Sequence, residues 1–186
     1  MSINFVEALS TDNLTAMRAA PKTDVHSHAF LSTRLENLER WLGQPLKHPP
    51  SKMKGLEGMM EYINEVLSHH IITPESFKFV ASSGVRDAIQ DGVVVLEMSF
   101  DIRMAEYYPD ALVGARVFLE ALAEKYGAQI DLRPELGFPR THANDPKLMA
   151  LAHDVDRTFT NTYNGIQVKF MSLDTLIAEI PPLNKR

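Results

Sequence analysis

His26 and His28 are two imidazoles with one residue between them, in the stretch Pro21-Lys22-Thr23-Asp24-Val25-His26-Ser27-His28-Ala29-Phe30. On a strand, residues i and i+2 point to the same face. Two imidazoles placed in this way can clasp one divalent ion, and imidazole suits zinc, iron and nickel. A chance pair of surface histidines is the competing explanation for H-x-H taken alone. The Pro-Lys pair and the acidic-apolar dipeptide before the histidines, and the βα-like pattern after them, favour metal ligation, zinc first among the ions.

The elements that must position this pair alternate along the chain. Strands are expected at 23–31, 93–101, 129–138 and 165–171. Helices are expected between them, at 55–71 and 74–90, at 111–126 and after Asp145, with a short last helix at 173–180 ended by Pro181 and Pro182. The 74–90 helix has the clearest signals. Thr73 can cap it, Pro74 suits its first position, and Phe77, Val80, Ala81, Gly84, Val85 and Ala88 recur at helical spacing before Gly92. Strands alternating with helices imply βαβ units and a parallel sheet.

Period-2 alternation separates the two faces of that sheet. Val94, Leu96, Met98 and Phe100 should meet helices, as should Ile130, Leu132, Leu136 and Phe138 on the third strand and Val25, Ser27 and Ala29 on the first. The opposite face then carries His26, His28, Glu97, Asp101, Arg133, Glu135 and Lys169. Charges on an inner face are costly unless paired or bound to a metal, so this face reads as a site rather than a core, with the solvated outer face of an open sheet as the alternative.

Composition narrows the class. At 186 residues the chain fits a single domain, 1–186. Net charge −5 and pI near 5.8 give no basic footprint for a nucleic-acid partner. There are no cysteines, hence no disulfides or thiolate metal sites. No apolar run reaches a membrane span and no signal-like segment opens the chain, so the expectation is a cytoplasmic protein with no membrane partner.

In order along the chain, "PKTDVHSHAF", "DAIQDGVVVLEMSFDIR" (87–103), "IDLRPELGFPR" (130–140) and "NGIQVKFM" (164–171) resemble the first four strands of the adenosine deaminase family, in the metal-dependent amidohydrolase superfamily. The resemblance implies an α/β fold of TIM-barrel type, here parallel (βα)4 units making about half of a (β/α)8 barrel. It also implies hydrolytic deamination of a purine or related aminoheterocycle by metal-activated water, with zinc or another divalent metal as cofactor and a small-molecule substrate as partner. His26 and His28 match the family's first metal-binding pair. Its further metal-binding histidine and aspartate, and its catalytic glutamate, come after the fourth strand and have no match here. Phe30 stands where typical members carry a ribose-contacting aspartate, which puts adenosine itself in question.

Candidate catalytic or positioning residues are Glu97, Asp101, Arg133 and Glu135, with a structural ion-pair network as their plainer role. Phe30 and Arg140 are candidates for substrate contact. Lys169 offers a carboxylated lysine, as in other amidohydrolase branches, or an ordinary ion pair. The alternative function is a truncated, non-catalytic relative serving in binding or assembly, or as one part of a larger barrel. Open edges on a four-stranded half-barrel would favour a homo-oligomer.

Overall fold

The computed structural model describes residues 5–137, 145–147, 149 and 150. Two short helices open it, α1 (Phe5–Ser10) and α2 (Leu14–Ala19), the second capped by the Asn13 side chain, which accepts from the Ala16 N–H at 3.0 Å. Then follow β1 (Lys22–His28), α3 (Leu35–Leu42), α4 (Gly55–Tyr62), α5 (Pro74–Gln90), β2 (Val93–Asp101), α6 (Leu112–Tyr126) and β3 (Asp131–Gly137). The strands are all parallel, in the order β1-β2-β3. Parallel strands alternating with helices make an α/β architecture, and the open sheet is consistent with part of a (β/α) barrel.

One face of the sheet is packed as the alternation requires. Leu96, Met98 and Phe100 of β2 and Ile130 and Leu132 at β3 are buried in one core with Phe77, Val80, Ala81 and Val85 of α5 and Ala115, Phe118, Leu119 and Leu122 of α6. Phe77 makes edge-to-face contacts with Phe100, Tyr107 and Phe118 at centroid separations of 6.0, 6.2 and 5.7 Å. The start of α5 is a reciprocal cap. Thr73 Oγ1 accepts from the Ser76 N–H at 3.2 Å, and Ser76 Oγ accepts from the Thr73 N–H at 3.0 Å, with Pro74 following the cap.

Several boundaries differ from expectation, each for a local reason. The first strand ends at His28, and Ala29–Leu31 forms a 3-10 turn. The 55–71 helix is α only to Tyr62, then widens to a π-turn at Ile63–Leu67 and tightens to a 3-10 turn at Ser68–His70. The third strand starts at Asp131 because the Gln129 and Ile130 N–H groups both bond to the Tyr126 carbonyl and finish α6 instead. Val25 is 61% exposed and Val94 is 44% exposed, against the expected burial. Both lie at register irregularities between β1 and β2, where one extra residue on one strand reverses the alternation. Asp145 does cap a turn, its Oδ1 accepting from the Lys147 N–H and its carbonyl from the Met149 N–H, both at 2.9 Å. The expected fourth strand, the terminal helix, Arg140 and Lys169 lie outside the described residues.

The N-terminal ends of the strands are sealed by α2. Lys22 Nζ donates to the carbonyls of Met17, Ala20 and Asp91 and pairs with the Asp91 carboxylate at 3.8 Å. Gly92 has φ +80°, and a Cβ there would overlap the carbonyl oxygens of Arg18 and Ala20. Gly92→Ala should therefore cost at least about 2 kcal/mol in urea unfolding, by left-handed strain plus a backbone clash; a loss below a few tenths would show that α2 can draw back freely. A second stability test concerns Tyr108. Its hydroxyl is buried with no hydrogen-bond partner among the described residues, and burial, then the Glu75 carboxylate, pushes its pKa up from 10.0 to about 12. The neutral phenol is the folded form. Its contribution is intact below the unfolded pKa near 10 and is lost as pH rises towards 12. Tyr108→Phe should flatten the alkaline fall in unfolding free energy over that window.

Candidate functional site

The site starts from sheet register. Residues opposite each other in a parallel pair project to the same side, so β1, β2 and β3 present aligned rows. His28 lies opposite Ser99, and Ser99 opposite Glu135. One level towards the strand N-termini, Glu97 lies opposite Arg133. These rows are on the face away from the buried Leu96, Met98 and Phe100. The expected company of His28 with Glu97, Arg133 and Glu135 on one face is therefore present.

His26 and His28 are both exposed, and their rings meet edge-to-face with centroids 4.8 Å apart and planes at 87°. The pair fits zinc in donor chemistry, and it supplies two of the three or four ligands a zinc site uses. Among the described residues no group of three or more His, Cys, Asp or Glu side chains is placed to hold a metal ion.

The strand ends lead into a cleft of about 420 Å³ lined by His28, Phe30, Ser99, Asp101, Arg103 and Glu106, with a wall from α4 and the turns after it. This is the C-terminal end of the parallel strands, where barrel enzymes build their sites. The loop after β1 reaches this position because α5 lacks a side chain where they meet: a Cβ on Gly84 would overlap Ser32 Oγ. Ser32 Oγ in turn donates to the Ala29 carbonyl at 2.8 Å and closes the 3-10 turn that carries Phe30. Phe30 and Leu31 also line a second cavity of about 180 Å³, walled by Leu35, Leu38, Leu67 and Ile71. Phe30 thus stands between a cleft of mixed polar and apolar lining and an apolar one.

The charges near the cleft are paired. Arg103 holds Asp101 in a two-point clasp, Nε to Oδ1 at 3.0 Å and Nη2 to Oδ2 at 2.6 Å, and the Arg103 N–H adds a third bond to Oδ1 at 2.9 Å. The hydrogen bond to Asp101 raises the Arg103 pKa, against the opposing effect of burial. Glu106 is bridged by Lys147 at 2.9 Å. On the open face Arg133 reaches Asp131 at 2.8 Å and Glu97 at 3.5 Å. Of the candidate residues, His28, Phe30 and Asp101 line the cleft, Glu97, Arg133 and Glu135 lie along the sheet face below it, and His26 is exposed beside His28 without lining it. Arg103, Glu106 and Tyr107 line the cleft without having been singled out in the sequence. The Asp-x-Arg spacing at the end of β2 was the available signal, since a strand-terminal Asp commonly caps the next turn.

Over 128 residues, 69% of its length, the chain is 34% identical to a protein of Treponema pallidum (strain Nichols) named "Putative adenosine/adenine deaminase". The resemblance to the adenosine deaminase family holds. The chain spans 43% of that relative's length, so what it shares is a part of such a protein. No family model matches the sequence. In this structure the adjacent imidazoles of His26 and His28, the second of them lining the cleft, have metal-ligand donor chemistry. No helix among the described residues is long and apolar enough to cross a membrane. Zinc titrated into the chain should perturb the imidazole NMR signals of His26 and His28 together, and His26→Ala or His28→Ala should each weaken binding at least about tenfold. Unchanged metal content in both variants would exclude the pair as ligands.

Proposed function

We propose that this chain is the metal-binding N-terminal half of an adenosine deaminase-like aminohydrolase, acting on a purine or related aminoheterocycle. The observation that carries the reading is the pair of imidazoles in contact at the C-terminal end of a parallel strand, of which His28 lines the 420 Å³ cleft. The similarity to the treponemal protein supports the chemistry. Zinc, when bound, supplies hydroxide near neutral pH. The chain's own part is to bind and orient. His26 and His28 hold two ligand positions. Phe30 lines the cleft with an aromatic ring against which a flat heterocycle can pack, in place of a carboxylate that would bind ribose. Asp101 and Arg103, locked together, shape the polar wall.

The remaining metal ligands and a proton-shuttling carboxylate are assigned in this reading to further βα units of the barrel. The two acidic groups lining the cleft already have cationic partners. That observation also favours a second reading, a non-catalytic binding or assembly role for this chain by itself.

Ammonia release tests both. Zinc-loaded chain offered adenosine, adenine and aminopterins should release ammonia feebly at most. Adding the missing barrel units, in one polypeptide or as a separate chain, should give zinc-dependent release that His28→Ala abolishes. Activity untouched by His28→Ala would overturn the proposed role. Silence of the completed barrel towards every aminoheterocycle would favour the non-catalytic reading.

A further inference from the structure

Asp24 sits inside β1, where aspartate is a poor strand residue. The structure supplies a reason. Asp24 lies opposite Leu96 and Ser27 opposite Met98, so three steps along β1 match two along β2. One extra residue is therefore accommodated at Val25–His26, a bulge in the strand. A bulge takes a backbone group out of the ladder and re-aims the side chains around it, and bulges of this kind recur beside functional sites. The His26 N–H points at Asp24 Oδ1, 3.1 Å away, so the donor is taken by the carboxylate two residues upstream.

The side chains record the effect. Val25 is turned to solvent, while Ser27 is half-buried and Ala29 is buried. In a regular strand, two residues spaced i and i+2 have Cα atoms about 6.6 Å apart with roughly parallel side chains. Here the two rings converge to 4.8 Å and meet edge-to-face.

We propose that Asp24 is a positioning residue of the metal site: its carboxylate fixes the β1 bulge that brings His26 and His28 together. Asp24 acts through the His26 backbone and is not itself a ligand. What is positioned rests on the reading of His26 and His28 as a metal pair; the convergence of the rings does not.

The distinction sets the experiment. Asp24→Asn keeps a side-chain oxygen for the His26 N–H and removes the charge. Asp24→Leu removes the acceptor. Both variants of the full chain are compared with the wild type by two measurements, the NOE between the His26 and His28 rings without metal, and Zn²⁺ affinity followed on the same imidazole signals. The expected result is a ring-to-ring NOE in the wild type and in Asp24→Asn, and its loss in Asp24→Leu. Zinc affinity should stay within about threefold in Asp24→Asn and fall at least about tenfold in Asp24→Leu, the scale of losses when a residue supporting a ligand is removed. If Asp24→Leu keeps the NOE and the affinity, the proposal is wrong. If Asp24→Asn loses zinc binding with the NOE intact, Asp24 acts by its charge or as a ligand, and the proposal is again wrong. A wild type whose rings are in contact but ignore zinc sinks the metal reading, while the NOE series still decides whether Asp24 sets the pair. Should Asp24→Leu not fold, Asp24→Ala removes the same acceptor with less bulk.

Discussion

Phe77 is the point at which the sheet, both long helices and the cleft meet. Its ring leans on Phe100 from β2, on Phe118 from α6 and on Tyr107 from the turn after β2, and its edge lines the cleft. Each such aromatic pair adds about 0.5–1.5 kcal/mol beyond the burial of its surface. More important here is geometry. Phe100 is fully buried and stands one residue before Asp101. Fixing Phe100 therefore fixes the direction in which β2 delivers Asp101 and the following turn with Arg103, Glu106 and Tyr107. The polar wall of the cleft is held from behind by an apolar contact.

The opposite face of the sheet obeys different physics. Among its charges, half-exposed or exposed, Glu97 and Asp131 pair with Arg133, and Asp101 with Arg103. In contact with water such pairs add little to stability. Enclosed by further strands, the same groups would lose hydration, and pairing them in advance limits that cost. A face on which two guanidiniums hold three carboxylates, with the exposed imidazole of His28 beside them, is therefore suited to being covered later, as the inside of a barrel is.

Sequence patterns reached the parts of this fold that are governed by local rules. The cap at Thr73 and the Pro74 that follows it located α5 to the residue, and alternation on β2 placed Leu96, Met98 and Phe100 against helices. The same rule failed at Val25 and Val94, because a bulge depends on which residue of a neighbouring strand lies opposite, and that is not written in either strand alone. α3 was not foreseen. It has no side-chain cap, and its packing rests on the buried Leu38 and on a partly exposed Trp41 stacking on Phe79 at 4.9 Å, a contact 38 positions away in the chain. The histidine pair was legible from its spacing. The clasp of Arg103 on Asp101 was not, since the spacing alone leaves the guanidinium free to choose another carboxylate.

The π-turn at Ile63–Leu67 has a further consequence for the cleft wall. In a regular helix, Ser68 would stand about 80° around the axis from Met60, eight positions earlier. A π-turn takes up one additional residue, and that offset shrinks to about 20°. Met60, Asn64 and Ser68 can then line the same cleft. The widened turn works as a phase correction: the same residues wound as a regular helix would carry Ser68 away from the wall, whereas deleting one residue would give a regular helix with Ser68 seven positions from Met60 and again about 20° from it.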